Sequence, residues 1–137
     1  MPSSKTVVVR WTGKGLAFLG GAPDGPQVPV DGDGRSGPSP MDMLLLALGG
    51  CMGSDVRYIL EKSRVPMTAL TVDVVGQRAE SDPRRYTQLR VICAVEGPGE
   101  AHRESVQRAV ELSRDTYCSV LHSLRPDLQV EVEVRGL

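Results

Sequence analysis

Three cysteines, Cys51, Cys93 and Cys118, carry the groups in this chain best suited to redox or nucleophilic chemistry. A thiolate is a nucleophile and a metal ligand, and two thiols within reach form and break a disulfide. The three sit in different patterns. Cys93 falls on the inward face of an alternating strand, LRVICAV, where a free cysteine packs as a small hydrophobe. Cys118 follows Asp115 and Thr116. With Asp115 as the cap, it lies in the first turn of a short helix, where amide donors and the dipole favour a thiolate; a plain buried cysteine is the equal alternative from position alone. Cys51 lies deep in a long apolar helical run, flanked by Gly49, Gly50 and Gly53. It gains nothing from a helix start, and a desolvated thiol without a cation is inert. A working Cys51 therefore needs a positive partner: Arg35 in the preceding loop, Arg10, Lys14 or an arginine of a second subunit.

Other chemistry is less well supplied. There is no CxxC pair, and an odd number of cysteines does not read as a disulfide framework. Of the histidines His102 and His122, only His122 has a suggestive place, four residues after Cys118. A Cys118–His122 metal or nucleophile pair stands against the plainer reading of a surface histidine. The GDGRSG stretch lacks the lysine and spacing of a phosphate loop. The expectation is no metal and no cofactor.

The elements that position the cysteines read as follows. Lys5 to Trp11 is a β-branched strand, and Leu16 to Leu19 is its return. A Gly-, Pro- and Asp-rich loop spans residues 20–40, with Gln27 to Asp31 as a short edge strand. A loop of that length that feeds a cysteine helix reads as functional. Ser39 caps the helix, Pro40 takes its first position, and Asp42 closes a short capping box. The helix is apolar nearly all round for its first turns, so it should be buried on most sides, by a sheet and by a second chain. It stops before Pro66. Its three glycines answer either to close helix packing or to access to Cys51. Two strands around residues 70–74 and 89–95 form a hairpin across RAESDPRR. Helices follow from Glu100 to Arg114 and from Tyr117 to Leu124, then a strict period-two strand from Leu128. This order is that of an α+β protein.

The chain has 137 residues, which fits one domain over 1–137. A formal net charge of −1 argues against a broad nucleic-acid footprint, and 4% aromatic residues leave few stacking platforms. No signal-peptide pattern and no unbroken membrane-length apolar run is seen, which gives a cytoplasmic expectation with no membrane partner.

The stretch GPSPMDMLLLALGGCMGSDVRYILEK, residues 37–62, together with YCSVLHSL, residues 117–124, resembles the osmotically induced protein C and organic hydroperoxide resistance superfamily. The resemblance covers essentially the whole chain. It implies an α+β fold with antiparallel sheets around a long buried central helix, in an intertwined homodimer. It implies a peroxidase for organic hydroperoxides, and less well for hydrogen peroxide. Cys51 would become a sulfenic acid, Cys118 would resolve it as a disulfide, and a dithiol or lipoylated protein would reduce that disulfide. In the characterised peroxidases a glutamate follows the helix-start proline and holds an activating arginine. Here Met41 follows Pro40, and the acid comes one later, as Asp42. That pattern, with Leu-Gly-Gly before the cysteine, resembles a less characterised branch. Arg35 is the match for the activating arginine, with Arg10 behind it. The alternative on the same scaffold is a non-enzymatic binding protein for an apolar or thiol-reactive ligand at the dimer interface; a third reading is a dimeric structural protein whose cysteines merely pack.

Overall fold

The computed structural model describes residues 3–136. Among these residues the order is β1 (Val8–Trp11), β2 (Ala17–Gly21), β3 (Val28–Asp31), α1 (Pro40–Lys62), β4 (Ala69–Arg78), β5 (Tyr86–Glu96), α2 (Arg103–Leu112), α3 (Ser119–His122) and β6 (Gln129–Gly136). A 3-10 turn, Glu100–His102, precedes α2, and a π-helical turn, Ser113–Tyr117, follows it. The chain falls into two units, Met1–Leu44 and Leu45–Leu137.

The first unit is a three-stranded antiparallel sheet in the order β1-β2-β3. The first strand begins at Val8 rather than at Lys5. Gly13 and Gly15 supply the positive φ angles of the β1–β2 turn, which the Trp11 indole N–H closes on the Gly15 carbonyl at 3.0 Å. Pairing of Val9 with Gly20, Trp11 with Phe18 and Phe18 with Val30 puts these apolar residues on one face. Val9 and Trp11 are 55% and 60% exposed there.

The loop after β3 is organised by one buried carboxylate. Asp31 accepts N–H bonds from Asp33 at 2.8 Å, Arg35 at 3.3 Å and Ser36 at 3.0 Å, and the Ser36 hydroxyl at 2.8 Å. The Ser36 and Asp33 amides lead in holding its carboxyl down at about 2. This glycine-rich stretch thus has a structural reason to exist. It delivers the chain to Ser39, whose hydroxyl accepts the Asp42 N–H at 3.1 Å and starts α1 as the sequence predicts.

The second unit holds the buried core. Its sheet has the order β4-β5-β6, with β4 and β5 antiparallel. The antiparallel pairing that the resemblance implies is present in β1-β2-β3 and between β4 and β5, and β6 adds to this sheet parallel to β5. The reason is the connection: a helical crossover through α2 and α3 returns the chain to the end from which β5 started. Central strand β5 buries Leu89, Val91, Cys93 and Val95. Against them lie Leu48, Met52, Val56 and Leu60 of α1, and Val106, Ala109 and Val110 of α2. These α1 residues recur at helical spacing and are fully buried, and each such side chain contributes about 1.5–3 kcal/mol.

By length and composition α1 would suffice to cross a membrane, but this buried stripe gives it the place of a core helix. Burial on most sides, expected from the sequence, is not seen in one chain: Leu46 and Tyr58 are 58% and 61% exposed. The α1 glycines divide. A Cβ on Gly49 would sit 3.1 Å from Val74 Cγ2 and one on Gly53 3.4 Å from Val72 Cγ2, whereas Gly50 faces open space. Gly49 therefore serves close approach of helix to sheet. The helix ends where Arg64 turns left-handed, with φ 57°, and Val65 N–H returns to the Leu60 carbonyl at 2.9 Å.

Candidate functional site

Cys51 sits midway along α1, half-buried, with Asp55 one turn further on. Positions i and i+4 share a helix face, so thiol and carboxylate project to the same side. Cys118 reaches them from the far end of the second unit's sequence. The Sγ atoms of Cys51 and Cys118 and a carboxylate oxygen of Asp55 all lie within 4.8 Å of one another. All three cysteines are free thiols. Closing the two sulfurs to a bond of about 2.05 Å needs sulfur travel of no more than about 3 Å, which is within the scale of one χ1 rotamer step.

The placement of Cys118 differs from the sequence expectation. Asp115 is not a helix cap. Its carboxylate is held by the Arg114 guanidinium at 2.7 and 3.0 Å. Instead α2 runs into the π-helical turn, closed by Cys118 N–H on the Ser113 carbonyl at 2.8 Å. Such turns recur at functional sites because the widened ring re-aims the residues that follow. Cys118 is itself the cap of α3, its sulfur accepting the Leu121 N–H at 3.4 Å. Desolvation raises the thiol's pKa and outweighs the lowering by that bond, and the neighbouring Cys51 and Asp55 act in the same direction as burial. The thiol is pushed up to about 11, so the expected stabilised thiolate at a helix start is not what this position provides.

A fourth residue completes the cluster. Ser113 is fully buried, and its hydroxyl donates to Asp55 Oδ2 at 2.8 Å. Neither Asp55 nor Ser113 was singled out from the sequence. The signal for Asp55 was available, an acid at i+4 from the candidate nucleophile; for Ser113 there was none, because its partner lies on another element. His122 does not join. Its Nε2 pairs with the Arg114 carbonyl at 2.9 Å and its side chain is exposed. Cys93 stays within the β-sheet core, paired with Val72 and Val134, and burial alone pushes its thiol up to about 11.

Of the predicted site residues, Cys51 and Cys118 are brought together. Arg35 and Asp42 belong to the first unit. Arg35 gives its backbone N–H to Asp31, and Asp42 gives its own to Ser39.

The site is thus a thiol pair beside a carboxylate, on the long central helix and a short capped one. The OsmC-like protein family model matches residues 32–133. Protein YhfA of Escherichia coli K12 is 41% identical over 113 residues, spanning 82% of this chain and 83% of that protein. A crystal structure of a hypothetical protein from Aquifex aeolicus VF5 superposes with a TM-score of 0.87 at 26% identity, covering 99% of this chain and 98% of that one. The organic hydroperoxide resistance protein OhrB of Bacillus subtilis shares the fold, with a TM-score of 0.64 at 17% identity over 97% of this chain and 98% of that one. The chain belongs to the OsmC-like protein family, in the less characterised branch that includes YhfA.

Proposed function

We propose that this protein is a thiol peroxidase that reduces organic hydroperoxides, and hydrogen peroxide less well. The observation that carries the reading is the approach of the Cys51 and Cys118 sulfurs to within 4.8 Å, with Cys93 held apart in the sheet. The Cys51 thiolate attacks the peroxide. An S–O bond forms, the O–O bond breaks, and the alcohol leaves with a proton. Cys118 then attacks the sulfenic sulfur. An S–S bond forms, the S–O bond breaks, and water leaves. A dithiol or lipoylated protein returns the disulfide to two thiols and is itself oxidised.

Cys51 suits the attacking role because it is half-buried and open to a substrate, whereas Cys118 is fully buried. A Cys118 thiol held protonated until it attacks also protects the pair from scattered oxidation. The apolar opening of α1, with Met41, Met43 and Leu44, favours a peroxide with an alkyl chain. Arg35 is the proposed source of positive charge for Cys51, and Asp42 is a helix cap that also sets the entry of α1. A homodimer belongs to the same reading. Its support is the exposed apolar face of the first sheet and the uncovered side of α1 at Leu46 and Tyr58.

The test is direct. Fully reduced protein receives one equivalent of an organic hydroperoxide, is quenched, and its cysteines are mapped by peptide mass. The expected product is a Cys51–Cys118 disulfide within one chain, with Cys93 free. Slow oxidation spread over all three thiols would overturn the reading.

A further inference from the structure

We propose that the reduced protein binds one thiophilic divalent cation of the zinc class, through Cys51 Sγ, Cys118 Sγ and the Asp55 carboxylate, with a fourth position left open. This inference goes beyond peroxide reduction and does not depend on it, since it needs only the three donors and their geometry.

The donor atoms already lie within 4.8 Å of one another. In a tetrahedral zinc site, with Zn–S near 2.3 Å and Zn–O near 2.0–2.2 Å, neighbouring donors stand about 3.4–3.8 Å apart. Side-chain adjustment of about 1 Å therefore closes the cluster around a cation. Two donors are fixed on one face of α1 by their i, i+4 spacing, the same spacing by which helices present paired ligands in zinc motifs. The third comes from the cap of α3, a separate element, so the three approach from different directions.

The outer support of such a site is also present. A ligating carboxylate is normally oriented by a hydrogen bond on its other side. The fully buried Ser113 hydroxyl supplies that bond to Asp55 Oδ2 at 2.8 Å, and the carboxylate keeps further lone pairs for the cation. Among the described residues Asp55 has no ion pair that would compete. His122, the ligand the sequence suggested for Cys118, is engaged with the Arg114 carbonyl instead. Two sulfurs and one oxygen select a borderline-soft ion over magnesium or calcium, which take oxygen donors.

The step balances simply. Two S–H bonds break, two metal–sulfur bonds form, and two protons go to solvent. The disulfide consumes both sulfur donors, so metal-bound and oxidised states exclude one another. A cation on the pair would hold the thiols away from peroxide.

Cobalt(II) is the probe. Reduced full-length protein, titrated anaerobically, should take up one Co(II) per chain. The expected signs are sulfur-to-cobalt charge transfer in the near ultraviolet and intense tetrahedral bands in the visible, both bleached by one equivalent of Zn(II). Cys51→Ser and Cys118→Ser should lose the charge-transfer band, Asp55→Asn should weaken binding about 10- to 100-fold, and Cys93→Ala should bind as the parent does. Should Cys118→Ser fail to fold, protein oxidised to the Cys51–Cys118 disulfide serves in its place and should show no band. Absence of charge transfer in reduced protein with all thiols titratable overturns the site. So does a band that survives in Cys51→Ser, or an unchanged affinity in Asp55→Asn. Because no peroxide is used, a protein that binds cobalt but ignores hydroperoxide fails only the peroxidase reading. One that turns over hydroperoxide without binding cobalt fails only this one.

Discussion

Cys93 and Cys118 are both fully buried, and desolvation pushes both thiols up to about 11, yet they occupy different chemical worlds. Around Cys93 the sheet offers Val72 and Val134 across the ladder, and burial is the whole of its electrostatics. Around Cys118 stand a second thiol, a carboxylate and a backbone donor. Burial therefore does not mark the working cysteine. The neighbours do: a π-helical turn and a short capped helix bring Cys118 to the Cys51 and Asp55 side chains on α1.

Replacing the thiols one at a time separates the two roles. Cys51→Ser should reduce peroxide turnover by on the order of a thousandfold or more, as loss of a nucleophile does. Cys118→Ser should stop after one turnover, with a Cys51 sulfenic acid that a carbon-acid trap captures. Cys93→Ser should turn over like the parent. If Cys93→Ser lost activity as Cys51→Ser does, the distinction between packing and working thiols would fall.

Stability should show the reverse order. Cys93→Ser places a hydroxyl in a dry strand and should cost about 1–3 kcal/mol in denaturant unfolding. Base should act through the same thiol. Its folded value of about 11 lies above the ordinary 9.0, so the folded state favours the neutral form. That stability is complete below pH 9.0 and is lost as pH rises toward 11, by about 2 kcal/mol. Cys93→Ala should remove this thiol's share of the alkaline decline and leave that of Cys118, read from unfolding midpoints between those pH values.

Ser113→Ala should be milder, about 1 kcal/mol of stability from the lost bond to Asp55, with slower disulfide formation after peroxide because the carboxylate beside the thiol pair loses its brace. An unchanged disulfide rate would make Ser113 a packing residue only. At the acid end, Asp31 titrates at about 2 rather than 3.8, so the order it gives the loop is present above 3.8 and lost as pH falls through about 2. Asp31→Asn should remove this acid sensitivity, seen as earlier amide exchange at Asp33 and Ser36 already at neutral pH.

Much of this was written in the chain locally. The cap at Ser39 and Pro40, the alternation of β5 and β6, and the order of elements follow from short-range rules, in which a residue and its neighbours within one turn or one strand settle the conformation. The two cysteine segments and their family were legible because they are contiguous motifs. What neighbours within one turn cannot settle was decided by packing. Whether β6 lies parallel to β5 depends on the crossover that returns it. That Asp55 and Ser113 meet is a contact across 58 residues of sequence, fixed only when α2 docks on the core. The sequence named two sulfurs; the tertiary fold chose the carboxylate and the hydroxyl that stand beside them, because proximity between elements is a property of the packed core and not of any one segment.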